Sequence, residues 1–151
     1  MPGNSWKLAP GLNNVGSYQV SGRPYASGSC LAPKSGSTSL VVRFPTVTKW
    51  VNIEPRITGS NRDVRVAFSQ NGLHQKGGSY FRVNLSSSLR GPLDMKISEL
   101  WFMSEDGGTV TFDIVAGLTN IPTRHVETED RTVNSVVTAA GTNWSGSVGV
   151  G

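Results

Sequence analysis

The clearest pattern in the chain runs from Glu99 to Leu118, ELWFMSEDGGTVTFDIVAGL. Leu100 and Phe102, followed by Ser104, fall on one side of a period-two alternation, and Trp101 and Met103 on the other. Val110, Phe112 and Ile114 alternate in the same way with Thr109, Thr111, Asp113 and Val115. Such alternation predicts two β-strands with one face on a core. Between them stands Asp106-Gly107-Gly108, which predicts a tight hairpin because the primed turns need positive φ and glycine adopts it freely. Apolar residues on both faces of this pair suit a sandwich whose outer face is partly covered by a neighbour.

The same alternation recurs along the chain. Ser37 to Phe44 sets Thr38, Leu40, Val42 and Phe44 against Ser39, Val41 and Arg43, and Pro45 ends it. Val47 to Pro55 sets Val47, Lys49, Val51 and Ile53 against Thr48, Trp50, Asn52 and Glu54. Asp63 to Ser69, Tyr80 to Leu85 and Leu93 to Ile97 predict three more strands, and Ser17 to Val20 a short one. Gly22 to Tyr25, Cys30 to Ser37, Thr58 to Arg62, Asn71-Gly72 and Ser86 to Pro92 predict turns and loops. About eight short strands at this spacing make an all-β sandwich, either an eight-stranded jelly roll with Greek-key connections or a seven-stranded immunoglobulin-like one. The alternation serves both equally.

Three regions follow. Residues 1–10 carry Trp6 and Leu8 among turn formers and predict an N-terminal arm with two apolar anchors, docked on its own domain or on a neighbour. Residues 11–122 form the sandwich domain. Residues 123–151 change texture: charges cluster from Arg124 to Arg131, and small and β-branched residues follow. That stretch reads equally as a flexible tail or as a C-terminal arm anchored by Val133, Val136, Val137 and Trp144.

Composition narrows the function. The 151 residues contain 18 glycines and only 16% charged residues, low for a globular enzyme. The net charge of +4 is scattered, with no run of Lys or Arg, so nucleic acid is not expected as a partner. The single cysteine, Cys30, allows no internal disulfide and no thiolate metal site. Residues 1–12 lack the apolar core of a signal peptide, and no apolar run is long enough to span a bilayer. The expectation is a soluble, non-secreted protein.

No catalytic set emerges. His74 and His125 sit in turn and tail, and no Gly-x-Ser-x-Gly elbow is present. His125 with Glu127, Glu129 and Asp130 is the sole metal-like cluster, and it reads as a solvated segment. The spread glycines form no phosphate cradle, and no carboxylate pair can be nominated for glycoside hydrolysis. No cofactor is expected. Asn84-Leu85-Ser86 and Asn143-Trp144-Ser145 match the glycosylation pattern by chance if the protein is not secreted. Trp50, Trp101 and Tyr80 would suit sugar stacking if exposed, and a core or subunit interface if not.

The runs WKLAPGLNNVGSYQVSGRPY (Trp6 to Tyr25), VRFPTVTKWVNI (Val42 to Ile53), RVAFSQNG (Arg65 to Gly72) and FDIVAGLTNIP (Phe112 to Pro122) carry a resemblance. Over residues 6–122 the chain resembles small structural proteins of large icosahedral double-stranded DNA viruses of algae, and of some marine phages. The resemblance implies a non-enzymatic virion component with a single jelly roll, assembled in the host cytoplasm. Such a protein forms the penton, a pentamer at the fivefold vertex, or serves as a minor capsid, cement or decoration protein. Its partners would be copies of itself and other capsid proteins. A carbohydrate-binding spike that meets a glycan or host receptor is the alternative from another class. The residues nominated for subunit contact or surface binding are Trp6, Leu8, Trp50, Trp101 and Trp144.

Overall fold

The structure, a computed structural model, describes residues 22–56, 63–74, 80–84 and 91–123, together with 132–133 and 136–137. Its elements are β1 (Arg23–Ala32), β2 (Leu40–Arg43), β3 (Thr48–Pro55), β4 (Val64–Ala67), α1 (Gln70–His74), β5 (Tyr80–Val83), β6 (Glu99–Ser104), β7 (Val110–Leu118), β8 (Thr132–Val133) and β9 (Val136–Val137). Two antiparallel sheets are formed, one in the order β1-β7-β3 and one in the order β2-β6-β4-β5. The fold is the expected all-β sandwich. Strands β8 and β9 pair with each other as a short antiparallel ribbon.

The period-two pattern explains the core. The inward residues of β7, from Val110 through Phe112, Ile114 and Ala116 to Leu118, are buried against Leu100 and Phe102 of β6, Val64 and Val66 of β4, and Val42 of β2. Phe102 and Phe112 meet across the sandwich with ring centroids 4.5 Å apart. Tyr25 and Phe44 meet edge to face at 5.1 Å near one end.

The central hairpin is not formed. Strands β6 and β7 have the expected bounds but lie in different sheets. Both edges of β6 are taken by β2 and β4, and both edges of β7 by β1 and β3, so neither is free to pair with the other. Residues 105–108 turn a corner between the sheets instead. Backbone bonds hold that corner: Ser104 N–H to Pro33 C=O at 2.8 Å, Glu105 N–H to Asp63 C=O at 2.9 Å, and Ser35 N–H to Asp106 C=O at 2.9 Å.

The strand pairing is nested instead. β4 pairs with β5, Val51 of β3 bridges to Leu93, β2 pairs with β6, and β1 pairs with β7. The pairs thus lie one inside another in chain order. Leu93 occupies the position of an eighth strand, but only one bridge forms there. The reason lies in β3, where the register shifts by one residue between Thr48 and Trp50. The shift buries Thr48 and breaks the expected in-phase series of Val47, Lys49 and Val51. Thr48 Oγ1 donates to Met95 C=O at 2.7 Å and accepts from Ile97 N–H at 3.1 Å. Those bonds hold 94–97 as an irregular segment beside β3.

Two further segments depart from the pattern. Arg23 to Tyr25 lies at the start of β1 and is not a turn. Alternation places the N–H positions of Pro24, Ala26 and Leu31 on the free edge of β1, so the proline removes no ladder bond. Asn71-Gly72 lies in α1, one helical turn. Ser69 Oγ accepts the Gly72 N–H at 2.9 Å and caps it.

Candidate functional site

The candidate surfaces are the outer faces of the two sheets, and the two faces differ. On the four-stranded sheet the outward residues are Val41 and Arg43 of β2, Glu99, Trp101 and Met103 of β6, Arg65 and Ala67 of β4, and Tyr80 and Arg82 of β5. Leu73 of α1 packs on Ala67, Trp101 and Met103 to make a second, smaller core. Trp101 is only 9% exposed, and its indole N–H donates to Glu99 Oε1 at 3.0 Å. Arg43 Nε donates to the other oxygen of that carboxylate at 3.1 Å. The outer face that the sequence assigns to a neighbour is therefore covered by the chain's own helix.

Beyond α1 the same face carries a charge cluster. Glu105 accepts from the guanidinium groups of both Arg65 and Arg82. Both guanidinium groups also lie against the Tyr80 ring, at 4.7 and 5.4 Å from its centroid. The two hydrogen-bonded guanidinium groups, Arg65 foremost, lower the Glu105 pKa from 4.5 to about 2. The same bonds raise the pKa of each arginine.

On the three-stranded sheet no described helix lies over the outward residues, although Gly117 is buried and Trp50, Asn52 and Asp113 are half-buried. These outward residues run in rows across the strands. Pro24, Gly117 and Trp50 form one row, Ala26, Val115 and Asn52 the next, and Asp113 with Glu54 the third. Leu31 stands beside Thr111 at the far end. Val115 is 40% exposed and Leu31 53% exposed. Asp113 is tied down at both oxygens, by the Ser29 N–H at 2.7 Å and by Arg56 Nε at 2.9 Å. The first bond holds the Gly28-Ser29 bulge in β1, where Ser29 takes a positive φ of 58°. Apolar side chains thus stand at both ends of the face, with the carboxylates of Asp113 and Glu54 between them. Beside Trp50, a groove of about 270 Å³ is bounded by Lys49, Pro92 and Asp94. A second cavity of about 230 Å³ opens between β3 and β5, where Val51, Ile53, Phe81, Val83 and Leu93 supply a mainly apolar lining.

Of the nominated residues, Trp50 is half-buried on the open face and Trp101 is buried under α1. They belong to different sheets and are not brought together. Tyr80 is engaged with two arginines. Trp6, Leu8 and Trp144 lie outside the described residues, as do His125 and the acidic residues near it. Val133, Val136 and Val137 lie in the β8–β9 ribbon. His74 is exposed at the end of α1. Among the described residues no group of three His, Cys, Asp or Glu side chains is placed to hold a metal ion. No helix among them is long and apolar enough to cross a membrane.

Sequence reasoning passed over the Arg65–Glu105–Arg82 cluster, whose members are 17 to 40 residues apart in sequence. The signal that was available is that Arg65 and Arg82 take outward positions on strands whose inward neighbours are apolar. No protein-family model matches the chain, and no curated protein or solved structure is significantly similar to it.

Proposed function

We propose that this chain is a structural protein of an icosahedral virus capsid, a single jelly roll that assembles as the pentamer at fivefold vertices. The observation that carries the reading is the nested strand order. With Leu93 counted at its place beside β3, the sheets run β1-β7-β3-Leu93 and β2-β6-β4-β5. That order supports reading the sandwich as a jelly roll, an antiparallel hairpin rolled into two layers. The sequence resemblance to small capsid proteins points the same way. So does a surface that offers faces and corners for contact and, among the described residues, no convergent polar set around either cavity. Within the same class, a minor capsid, cement or decoration role at another lattice position is the alternative.

The test is the oligomeric state of the purified full chain, read by mass photometry and by electron cryomicroscopy. A closed ring of five supports the penton. A stable trimer, or a monomer that binds only to a preformed shell, moves the assignment to a cement or decoration role. A carbohydrate-binding module is favoured by one observation only, the placement of Trp50 beside a groove on a face that no described helix covers. A monomer that binds glycans and loses them on Trp50→Ala overturns the capsid reading in favour of that module.

A further inference from the structure

The cavity between β3 and β5 continues the main core toward the side of the sandwich where Leu93 lies. Val51 and Ile53 of β3 and Phe81 and Val83 of β5 line it together with Leu93, and all five belong to the main core or pack against it. Val51, Ile53 and Val83 are buried and form its floor. Phe81 and Leu93 are half-buried, and Gly91 is exposed at the rim. A Cβ built on Gly91 meets no atom within 4 Å, so the rim is open there. We propose that this cavity is a binding site for a small hydrocarbon group, an aromatic ring carrying a short alkyl arm.

The strands explain why the space exists. β3 makes a single bridge to Leu93, so no regular strand lies beside it there. Opposite, β5 has four residues at the edge of the other sheet. Phe81 packs its ring against Phe68, with centroids 6.2 Å apart, and leaves the gap unfilled.

The lining sets the class of ligand. Among the described residues around the cavity, Asn52 has the only polar side chain, and its carboxamide donates to the Glu54 carboxylate. The backbone at the wall is paired as well. Val51 N–H donates to Leu93 C=O at 2.9 Å, and Leu93 N–H to Val51 C=O at 2.7 Å. Water in the cavity gains few hydrogen bonds from this wall, and a hydrocarbon that displaces it loses none. A sugar, a nucleotide or a carboxylate placed there would leave hydroxyls or charge without partners.

Volume sets the size. Protein interiors are close-packed, and voids larger than a water molecule are few. An apolar cavity of about 150 Å³ is enough for benzene. At about 230 Å³, this one has room for a benzene ring and a short alkyl arm. Drug-sized ligands take clefts of about 300–1,000 Å³ and are too large for it. The site does not depend on the capsid reading and holds or fails without it.

The test is a titration of the full chain with ethylbenzene, followed by the methyl NMR signals of its valines, isoleucines and leucines. Saturable shifts should centre on Val51, Ile53, Val83 and Leu93. Val41 and Leu73, on the outer side of the four-stranded sheet, should not move. Val83→Phe fills the cavity from its floor and Leu93→Trp from its rim. Each should weaken binding by about tenfold or more, because the ring must then displace a side chain already in place. Circular dichroism identifies the variants that fold, and Leu93→Trp, at the half-buried rim, carries the comparison should Val83→Phe not fold. Absence of saturable shifts at the four lining residues overturns the proposal. So do shifts that spread equally to Val41 and Leu73, or binding that is unchanged in a folded filling variant.

Discussion

Trp50 and Trp101 both occupy outward positions, one on each sheet, and only Trp101 is buried. The sheets are alike in their alternation, so the strand pattern does not set the difference. What sets it is the segment that follows β4. Ser69 caps a single helical turn, and that turn lays Leu73 on Trp101 and Met103. No such element among the described residues follows the strands of the three-stranded sheet. One outer face has become a second core with its own salt bridges, and the other stays open toward Val115 and Leu31. The lesson is that an outward apolar residue is read correctly only together with what the chain places over it.

The comparison is broken most sharply at the tryptophans. Trp101→Ala should destabilise the protein by about 3–5 kcal/mol, because it empties a buried site and strips Glu99 of a donor. Trp50→Ala should cost less than about 1 kcal/mol, in the range of substitutions away from a core. Urea unfolding of both variants measures the pair, and equal losses would mean that the two faces are not different in kind. Leu73→Ala should fall next, at about 2–4 kcal/mol, since the side chain is fully buried between α1 and β6.

Much of this contrast could not be read in advance. The strands β2 to β7 announce themselves through period-two patterning of their core-facing side chains, even in β6, where both faces are apolar. Strand β1 does not, since Gly22, Pro24 and Gly28 are punctuation to any local reading. Their tolerance comes from an edge position that only the assembled sheet supplies. Asp106-Gly107-Gly108 misleads for a related reason. A tight turn and a corner between sheets use the same flexible residues, and which one forms depends on partners of β6 and β7 that lie far away in sequence. α1 is too short for a period to show. The open face was half legible: Trp50 stood out, whereas Val115 reads as an ordinary strand residue until its lack of cover is seen.

A smaller effect separates the faces electrostatically. Glu105 has a folded-state pKa of about 2 against 4.5 without its arginines. A depressed carboxylate contributes its full stability above the unfolded value and loses it as pH falls from about 4.5 toward 2. The side chain of Glu105 is 24% exposed, so solvent screening limits the contribution to about 1 kcal/mol. Glu105→Gln should therefore lower stability by about that amount at pH 7, and the gap from wild type should close between pH 5 and pH 2. Unfolding curves at pH 7, 4 and 2.5 decide it; a gap independent of pH would mean that packing and not charge holds the cluster. Ser69→Ala should cost a similar or slightly smaller amount, about 0.5–1 kcal/mol, by loss of the helix cap.

The smallest effect sharpens the comparison most. Val115→Ser removes apolar surface from the open face, and on a face with no cover it should change stability by no more than about 0.5 kcal/mol. Urea unfolding measures the loss beside that of Trp101→Ala. A loss of about 1 kcal/mol or more would mean that Val115 is covered as Trp101 is, and that the two faces do not differ in kind.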